Sequence, residues 1–258
     1  MKLDFNLVGS ATWVLDVDNK FKIGCDPALA PKGTKYMYKG LKTSRVIAPI
    51  YNNNTFNNVK LWLITHGHFD HLDKKGLDVI ESGSKVVSHN NAAKLLEHKF
   101  NLDISYLKWN ENKNYSIEGY EIDVEAIPAV HGMNIIAKML MGGVNGYLIR
   151  ISKDKESRTI YITADAVYSE EIVNKLKGKK IDVLVANLGQ AKSKMIGGPF
   201  TMNVKMLNQF ITELNPKIIL PIHINDFAHF ETSKSDLQKI INKDKVKILQ
   251  SGENITIQ

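Results

Sequence analysis

Hydrophobic positions in the first 25 residues fall into short runs, LDFNLV, ATWVLDV and FKIGCD, rich in branched and aromatic side chains and separated by turn residues such as Asp18, Asn19 and Lys20. This spacing predicts a β-meander. From residue 59 the texture changes: strand-length apolar runs, VKLWLIT, SKVVSH, YEIDVEAI, NGYLIRIS, RTIYITA, IDVLVAN, KIILPI and KVKILQ, alternate with segments whose apolar residues recur every three or four positions. Those segments predict helices in DKKGLDVIES, NNAAKLLEHKF, SEEIVNKLKG, TMNVKMLNQFITELN and SKSDLQKIINK. Ser169 before Glu170 and Glu171 is a helix start, as is Thr201 or Asn203 before the stripe Leu207, Phe210, Ile211, Leu214. Gly178 is a stop for the first of these.

Strands followed by strand and helix alternation imply an α/β layered architecture, and the two halves repeat that order loosely, as expected for two stacked sheets covered by helices. No Pro-, Ser- or Gly-rich linker divides the chain, so residues 1–258 are expected to form one domain. Residues 27–58 are the least periodic stretch, and so long a loop in a compact domain is more often a functional lid than slack.

Composition narrows the function. A chain of 258 residues with 43% hydrophobic content buries roughly 70 to 75% of its unfolded surface and needs no disulfide or structural metal to hold its core. Its one cysteine, Cys25, cannot form an internal disulfide, and MKLDFNLVGS lacks the apolar stretch of a secretory signal, which places the protein in a reducing cytoplasm. No window reaches the roughly 20 apolar residues of a membrane span. The net charge of +7 favours acidic partners without choosing among nucleic acid, phosphorylated metabolites and carboxylates.

The chemistry concentrates in one place. Directly after the apolar strand LWLIT come His66, Gly67, His68, Phe69, Asp70 and His71. Residues two apart on an extended chain point the same way, so His66 and His68 can face one cation. A turn after Phe69 then puts Asp70 and His71 on another side of the same small space, and two pairs suggest two metals. Imidazole and carboxylate without thiolate suit Zn, Mn or Fe in a working site better than a structural zinc. His131, Asp165 and His223 each follow a predicted strand at its carboxyl end, the edge where α/β sheets gather their sites.

Weaker candidates surround these. His229, six residues after His223, could stand at the rim as a proton donor to a leaving group. His89 could approach from a neighbouring loop, and His98 reads as an ordinary helix residue. Lys32, Lys35, Lys39, Lys42 and Arg45, interleaved with Tyr36 and Tyr38, could meet a phosphate or stack on a base. The pairs Gly142, Gly143 and Gly197, Gly198 could be site-wall loops, and Cys25 reads as packing.

His66-x-His68-x-Asp70-His71 followed by single His131, Asp165 and His223 resembles the metallo-β-lactamase superfamily of hydrolases, over nearly the whole chain from Gly9-Ser10-Ala11-Thr12 and Cys25-Asp26-Pro27 to Pro221-Ile222-His223. It looks most similar to the branch containing ascorbate 6-phosphate lactonase and the N-acyl phosphatidylethanolamine phospholipase. The resemblance implies an α/β fold, a four-layer αββα sandwich of two mixed β-sheets. It implies that His66, His68 and His131 hold one divalent ion, that Asp70, His71 and His223 hold a second, and that Asp165 bridges them. Zn is the first choice, with Mn or Fe as alternatives. The implied reaction is attack by a shared hydroxide, oriented by Asp70, on a small and anionic ester, lactone or phosphodiester. Ser10 stands where relatives of this branch often carry His, so that residue's role does not transfer. A nuclease is disfavoured because the core fold leaves no room for an inserted nucleic-acid-binding domain. A non-catalytic protein is disfavoured because all seven ligand positions carry competent residues. A homo-oligomer is compatible with the sequence.

Overall fold

The computed structural model describes residues 1–99, 101–132, 139, 142–192 and 199–258; Gly197 and Gly198 therefore lie outside the described residues. The strands run in chain order as β1 (Leu3–Gly9), β2 (Thr12–Val17), β3 (Phe21–Cys25), β4 (Lys35–Tyr38), β5 (Leu41–Ser44), β6 (Val59–Ile64), β7 (Lys85–Ser88), β8 (Asp103–Tyr106), β9 (Asn112–Ile117), β10 (Tyr120–Ala129), β11 (Val144–Lys153), β12 (Glu156–Ile162), β13 (Val183–Asn187), β14 (Ile218–Ile222) and β15 (Asn254–Ile257). The helices are α1 (Lys74–Val79), α2 (Ala93–Leu96), α3 (Glu170–Leu176), α4 (Val204–Leu214) and α5 (Lys234–Leu237).

Two mixed sheets carry the fold. The first has the order β15-β1-β2-β3-β6-β7-β8 and the second β14-β13-β12-β11-β10-β9. Each begins with antiparallel pairs and ends in parallel ones: β3, β6, β7 and β8 run parallel in the first, β12, β13 and β14 in the second. The halves thus repeat one another in topology, as the pattern predicts.

The apolar residues sort into layers. Phe5, Trp13, Leu15, Ile23 and Leu63 from one sheet meet Val124, Tyr147, Ile149, Ile162 and Leu220 from the other in a core between the sheets. Val14, Trp62, Ile64 and Val86 turn outward from the first sheet against Leu77 and Ile80 of the α1 region and Leu96 of α2. Tyr161, Leu184 and Ile219 do the same on the second sheet against α3 and α4, whose Ile172, Leu176, Leu207, Phe210 and Ile211 are buried. Because both faces of β13 are covered, VLVAN is buried along its whole length and apolar up to Asn187. This is the αββα sandwich.

The helix starts fall where the capping residues predict: Ser169 accepts from Ile172 N, and Asn203, rather than Thr201, caps α4 through Met206 N. Gly178, with φ 79°, lies just past α3. Other expectations need correction. KVKILQ forms no strand; Val246 makes a single bridge to Ile219, and β15 fills the edge beside β1 instead. Four-residue NITI takes its strand state from that pairing, which no local period announces. The predicted helices around residues 93 and 234 are single turns, α2 entered through a 3₁₀ turn at Asn90–Ala92 and α5 closed by a Ser233–Asp236 capping box. The aperiodic stretch 27–58 contains the hairpin β4–β5.

One close approach ties α1 to the site. Asp73 caps α1 through Gly76 N and accepts from Ala30 N, pressing the helix start onto the backbone that follows Asp26. A Cβ at Gly76 would lie 1.4 Å from the Pro27 carbonyl oxygen. Gly76→Ala is therefore expected to cost about 3 kcal/mol through forced backbone displacement. A thermal melt followed by circular dichroism should show the midpoint falling by about 6 to 12 °C; an unchanged midpoint contradicts the packing described.

Candidate metal centre

The end of β6 delivers the cluster to the seam between the sheets. Asn145 N donates to Thr65 O at 3.1 Å and the Tyr147 hydroxyl donates to Ile64 O at 2.9 Å, stitching β6 to β11 of the opposite sheet. The chain then turns, with His71 N and Leu72 N both donating to His68 O, so Asp70 and His71 come round to the other side of the space faced by His66 and His68. His131 follows β10, Asp165 follows β12 and His223 follows β14, all arriving at the same end of the second sheet.

Seven side chains converge there, all buried, in two groups: His66, His68 and His131, and Asp70, His71, Asp165 and His223. Within each group one nitrogen or oxygen per residue lies within 4.8 Å of the others. Asp165 faces both. Its Oδ2 is 3.9 Å from His66 Nε2 and 3.7 Å from His131 Nε2, while its Oδ1 is 3.2 Å from His71 Nε2 and 3.8 Å from His223 Nδ1. His223 Nε2 lies 3.6 Å from Asp70 Oδ2.

The outward-facing nitrogens set the tautomers. The Thr65 hydroxyl donates to Asp26 Oδ2 at 2.7 Å, so toward His66 Nδ1, 2.9 Å away, it can only accept. His66 Nδ1 carries the proton and Nε2 turns a lone pair inward. His71 Nδ1 donates to Asp26 Oδ2 at 2.7 Å, and His131 Nδ1 donates to Phe200 O at 2.9 Å, which directs Nε2 of both inward. This is the arrangement by which metal-ligating histidines are oriented. Among the described residues, His71 Nε2 and both nitrogens of His223 have no hydrogen-bond partner although they are buried, a costly state that a cation relieves. Donor set, tautomers and orphaned nitrogens all fit divalent metal.

Electrostatics agree. Burial, then repulsion from His71 and His68, holds His66 well below the ordinary histidine range, and burial with His131 beside it brings His68 down to about 3. Burial lowers His131 too, so this group is neutral imidazole. Burial would raise Asp165, but His71 and His223 outweigh it and keep the carboxylate ionised. Burial would likewise lower His71, but Asp165 and Asp26 outweigh that and raise it above the ordinary histidine range, so a bound cation would take the place of the proton on its Nε2.

The backbone is strained around this seam. Ser10 (φ 55°), Asp26 (φ 43°), Ala164 (φ 51°) and His223 (φ 62°) are all non-glycine residues in the left-handed region, each costing of order 1–3 kcal/mol. Ser10 contributes its carbonyl, which accepts from His223 N at 3.1 Å.

Of the weaker candidates, His229 reaches the site, with Nε2 3.7 Å from Asp70 Oδ2 and Nδ1 2.9 Å from Thr43 Oγ1. His89 instead caps the 3₁₀ turn, accepting from Asn91 N, and Gly143 packs on its ring, where a Cβ would come within 2.4 Å. His98 is exposed. Arg45 leaves the basic loop altogether: it is buried, donating to Ala28 O and Ile47 O, while Lys32, Lys35, Lys39 and Lys42 are exposed. Cys25 is buried in the core between the sheets. Asp26, Thr65 and Asn187 (donating to Asp165 Oδ1 at 2.9 Å) were given no site role from the sequence, and Tyr38, grouped there with the basic loop, lies 3.0 Å from His68 Nε2. Asp26 carries the same signal as Asp165, a carboxylate just past a strand end, and was legible on that ground.

The sequence matches the family described as the beta-lactamase superfamily domain over residues 25–224. The chain belongs to the beta-lactamase superfamily. Within it, the chain is 28% identical over 208 residues to a UPF0173 metal-dependent hydrolase of Pyrococcus abyssi, spanning 78% of this chain and 83% of that one. Two solved structures share the fold over nearly the full length of both chains. A possible metal-dependent hydrolase from Veillonella parvula superposes with a TM-score of 0.83 at 22% identity, covering 100% of each. The isothiocyanate hydrolase from Delia radicum gut bacteria superposes with a TM-score of 0.79 at 23% identity, covering 99% of this chain and 98% of that one.

Replacing Asp26 by asparagine presents an N–H to His71 Nδ1 and forces the imidazole proton onto Nε2, where the lone pair is wanted. Asp26→Asn is expected to weaken Zn binding about 10- to 100-fold, in the range typical of residues that orient a ligand. Chelator competition on the folded variant measures it; wild-type affinity would show that Asp26 does not orient His71.

Proposed function

We propose that this protein is a metal-dependent hydrolase of one domain whose site holds two divalent cations, Zn foremost, with Mn or Fe as alternatives. The observation that carries this is the inward turn of His66, His71 and His131, each fixed by a hydrogen bond at its outer nitrogen. His66, His68 and His131 would hold one ion, Asp70, His71 and His223 the other, and Asp165, with one oxygen toward each group, would bridge them. Bound divalent ions supply Lewis acidity and a nucleophile at neutral pH by acidifying the water they share. The names of curated relatives such as the Pyrococcus abyssi hydrolase support the same chemistry.

The protein's own groups define what is done with it. Asp70, between His223 and His229, accepts a hydrogen bond from the attacking water and orients it. His229, held at Nδ1 by Thr43, stands over Asp70 as the proton donor to the leaving group. Leu41, Phe69, Ala191 and Phe200 give the cavity apolar walls, and among the described residues no lysine or arginine lines it. The substrate is accordingly a small ester, lactone or phosphodiester whose non-reacting part is apolar; an anionic group, which the net charge of +7 favours, would have to meet the cations themselves. The Delia radicum neighbour adds isothiocyanates to the compounds worth testing. The lactonase and phospholipase branch supplies phosphorylated lactones and phosphodiesters for the same panel. Among the described residues no helix is long and apolar enough to cross a membrane, and the lone Cys25 supports a cytoplasmic setting.

Elemental analysis of the purified protein tests this directly. Wild type should carry about two transition-metal ions per chain, the His66→Ala, His68→Ala double variant markedly fewer, and chelation should abolish turnover. Asp70→Ala should lower kcat about 100-fold or more, beyond any loss of metal at saturating Zn, because it removes the orienting carboxylate. Absence of metal after reconstitution with Zn, Mn or Fe would sink the mechanism.

A further inference from the structure

Tyr38 occupies an unusual position between the cavity and the first group of histidines. It comes from β4 of the hairpin, lines the cavity, and packs its ring 4.7 Å from that of His68. Its neighbour Tyr36 stacks on Phe69 at 4.3 Å, pinning the hairpin to the His66–His71 segment. The Tyr38 hydroxyl lies 3.0 Å from His68 Nε2, and the other nitrogen of His68, Nδ1, lies 2.9 Å from His66 Nε2.

The protons follow from this geometry. His66 Nε2 is a lone pair, because Thr65 fixes the proton on Nδ1. At 2.9 Å a hydrogen lies between the two nitrogens, so His68 Nδ1 carries the one that meets this lone pair, its Nε2 is an acceptor, and Tyr38 donates to it. When His68 turns Nδ1 to a cation shared with His66 and His131, its proton must sit on Nε2. The Tyr38 oxygen then accepts, and the phenolic hydrogen is freed. No proton is gained or lost; His68 exchanges one tautomer for the other. Among the described residues the only hydrogen bond of the Tyr38 hydroxyl is the one to His68, so the freed hydrogen faces the cavity.

We propose that Tyr38 is a positioning residue for His68, and that loading the site reverses their hydrogen bond and turns the Tyr38 hydroxyl into a donor facing the substrate. This rests on the two-cation site proposed above and adds to it a substrate requirement: an acceptor atom on the reacting group, beside an apolar substituent lying against Leu41, Phe69 and Phe200.

The test uses the full chain labelled with ¹⁵N-histidine and titrated with Zn alone. His68, assigned by comparison with His68→Gln, should carry its proton on Nδ1 in the metal-free protein and on Nε2 after loading, as read from two-bond ¹⁵N–¹H correlations. Tyr38→Phe should bind the ion held by the first group about 10- to 100-fold more weakly and leave the second ion unaffected, with circular dichroism confirming the fold. A His68 proton on Nε2 in both states, or a Tyr38→Phe protein that loads like wild type, overturns the proposal. A wild-type protein that takes up no Zn overturns this proposal and the two-cation site together, whereas two bound ions with an indifferent Tyr38→Phe overturn this proposal alone.

Discussion

Ionised carboxylates buried among imidazoles are the constraint around which the rest of the structure is arranged. Asp70 and Asp165 are taken out of water at the seam of the two sheets, with Asp26 just behind them. Unpaired, each would cost several kcal/mol. Asp165 accepts from Asn187 and faces His66, His71, His131 and His223, and Asp70 lies between His223 and His229. Asp26 takes Thr65 N, the Thr65 hydroxyl and His71 Nδ1 on its two oxygens. Such a network tolerates little rearrangement, because each donor released becomes a buried unsatisfied group.

The layered scaffold supplies the rigidity that this requires. Two sheets packed through Trp13, Leu15, Leu63, Tyr147 and Ile149 fix the strand ends relative to one another, and each ligand-type residue lies within a few positions of such an end. The strained residues Asp26, Ala164 and His223 sit where strand must turn abruptly into site. Close packing behind them offsets the conformational cost, and left-handed backbone at a non-glycine residue is most often held this way at functional sites.

A second element closes the site from outside. The hairpin β4–β5 contacts the His66–His71 segment through Tyr36 and Tyr38 and the segment after β14 through Thr43, Arg45 and Phe227. It thereby ties together two loops that the chain separates by about 150 residues, and it places apolar side chains and a phenol over a centre otherwise made of imidazole and carboxylate. The aperiodicity of residues 27–58 marked this region as functional, yet its secondary structure was invisible there. Four-residue strands with exposed lysines present no two-sided pattern for a sequence to display.

The sequence by itself determined the layers and the chemistry. Alternation and continuous apolar runs follow from burial on one or both faces of a sheet, a local property written in consecutive residues, and His66, His68, Asp70 and His71 announce themselves by spacing on one strand end. The edge strand β15, the single-turn helices, the burial of Arg45 and the role of Asp26 were decided by tertiary structure. Three of these depend on partners elsewhere in the chain: Leu3 to Asn6 for β15, Ala28 and Phe227 for Arg45, His71 for Asp26. The tautomers belong with these, since which nitrogen of an imidazole faces the site is set by what stands behind the ring, and only folding puts Thr65, Asp26 and the Phe200 carbonyl there.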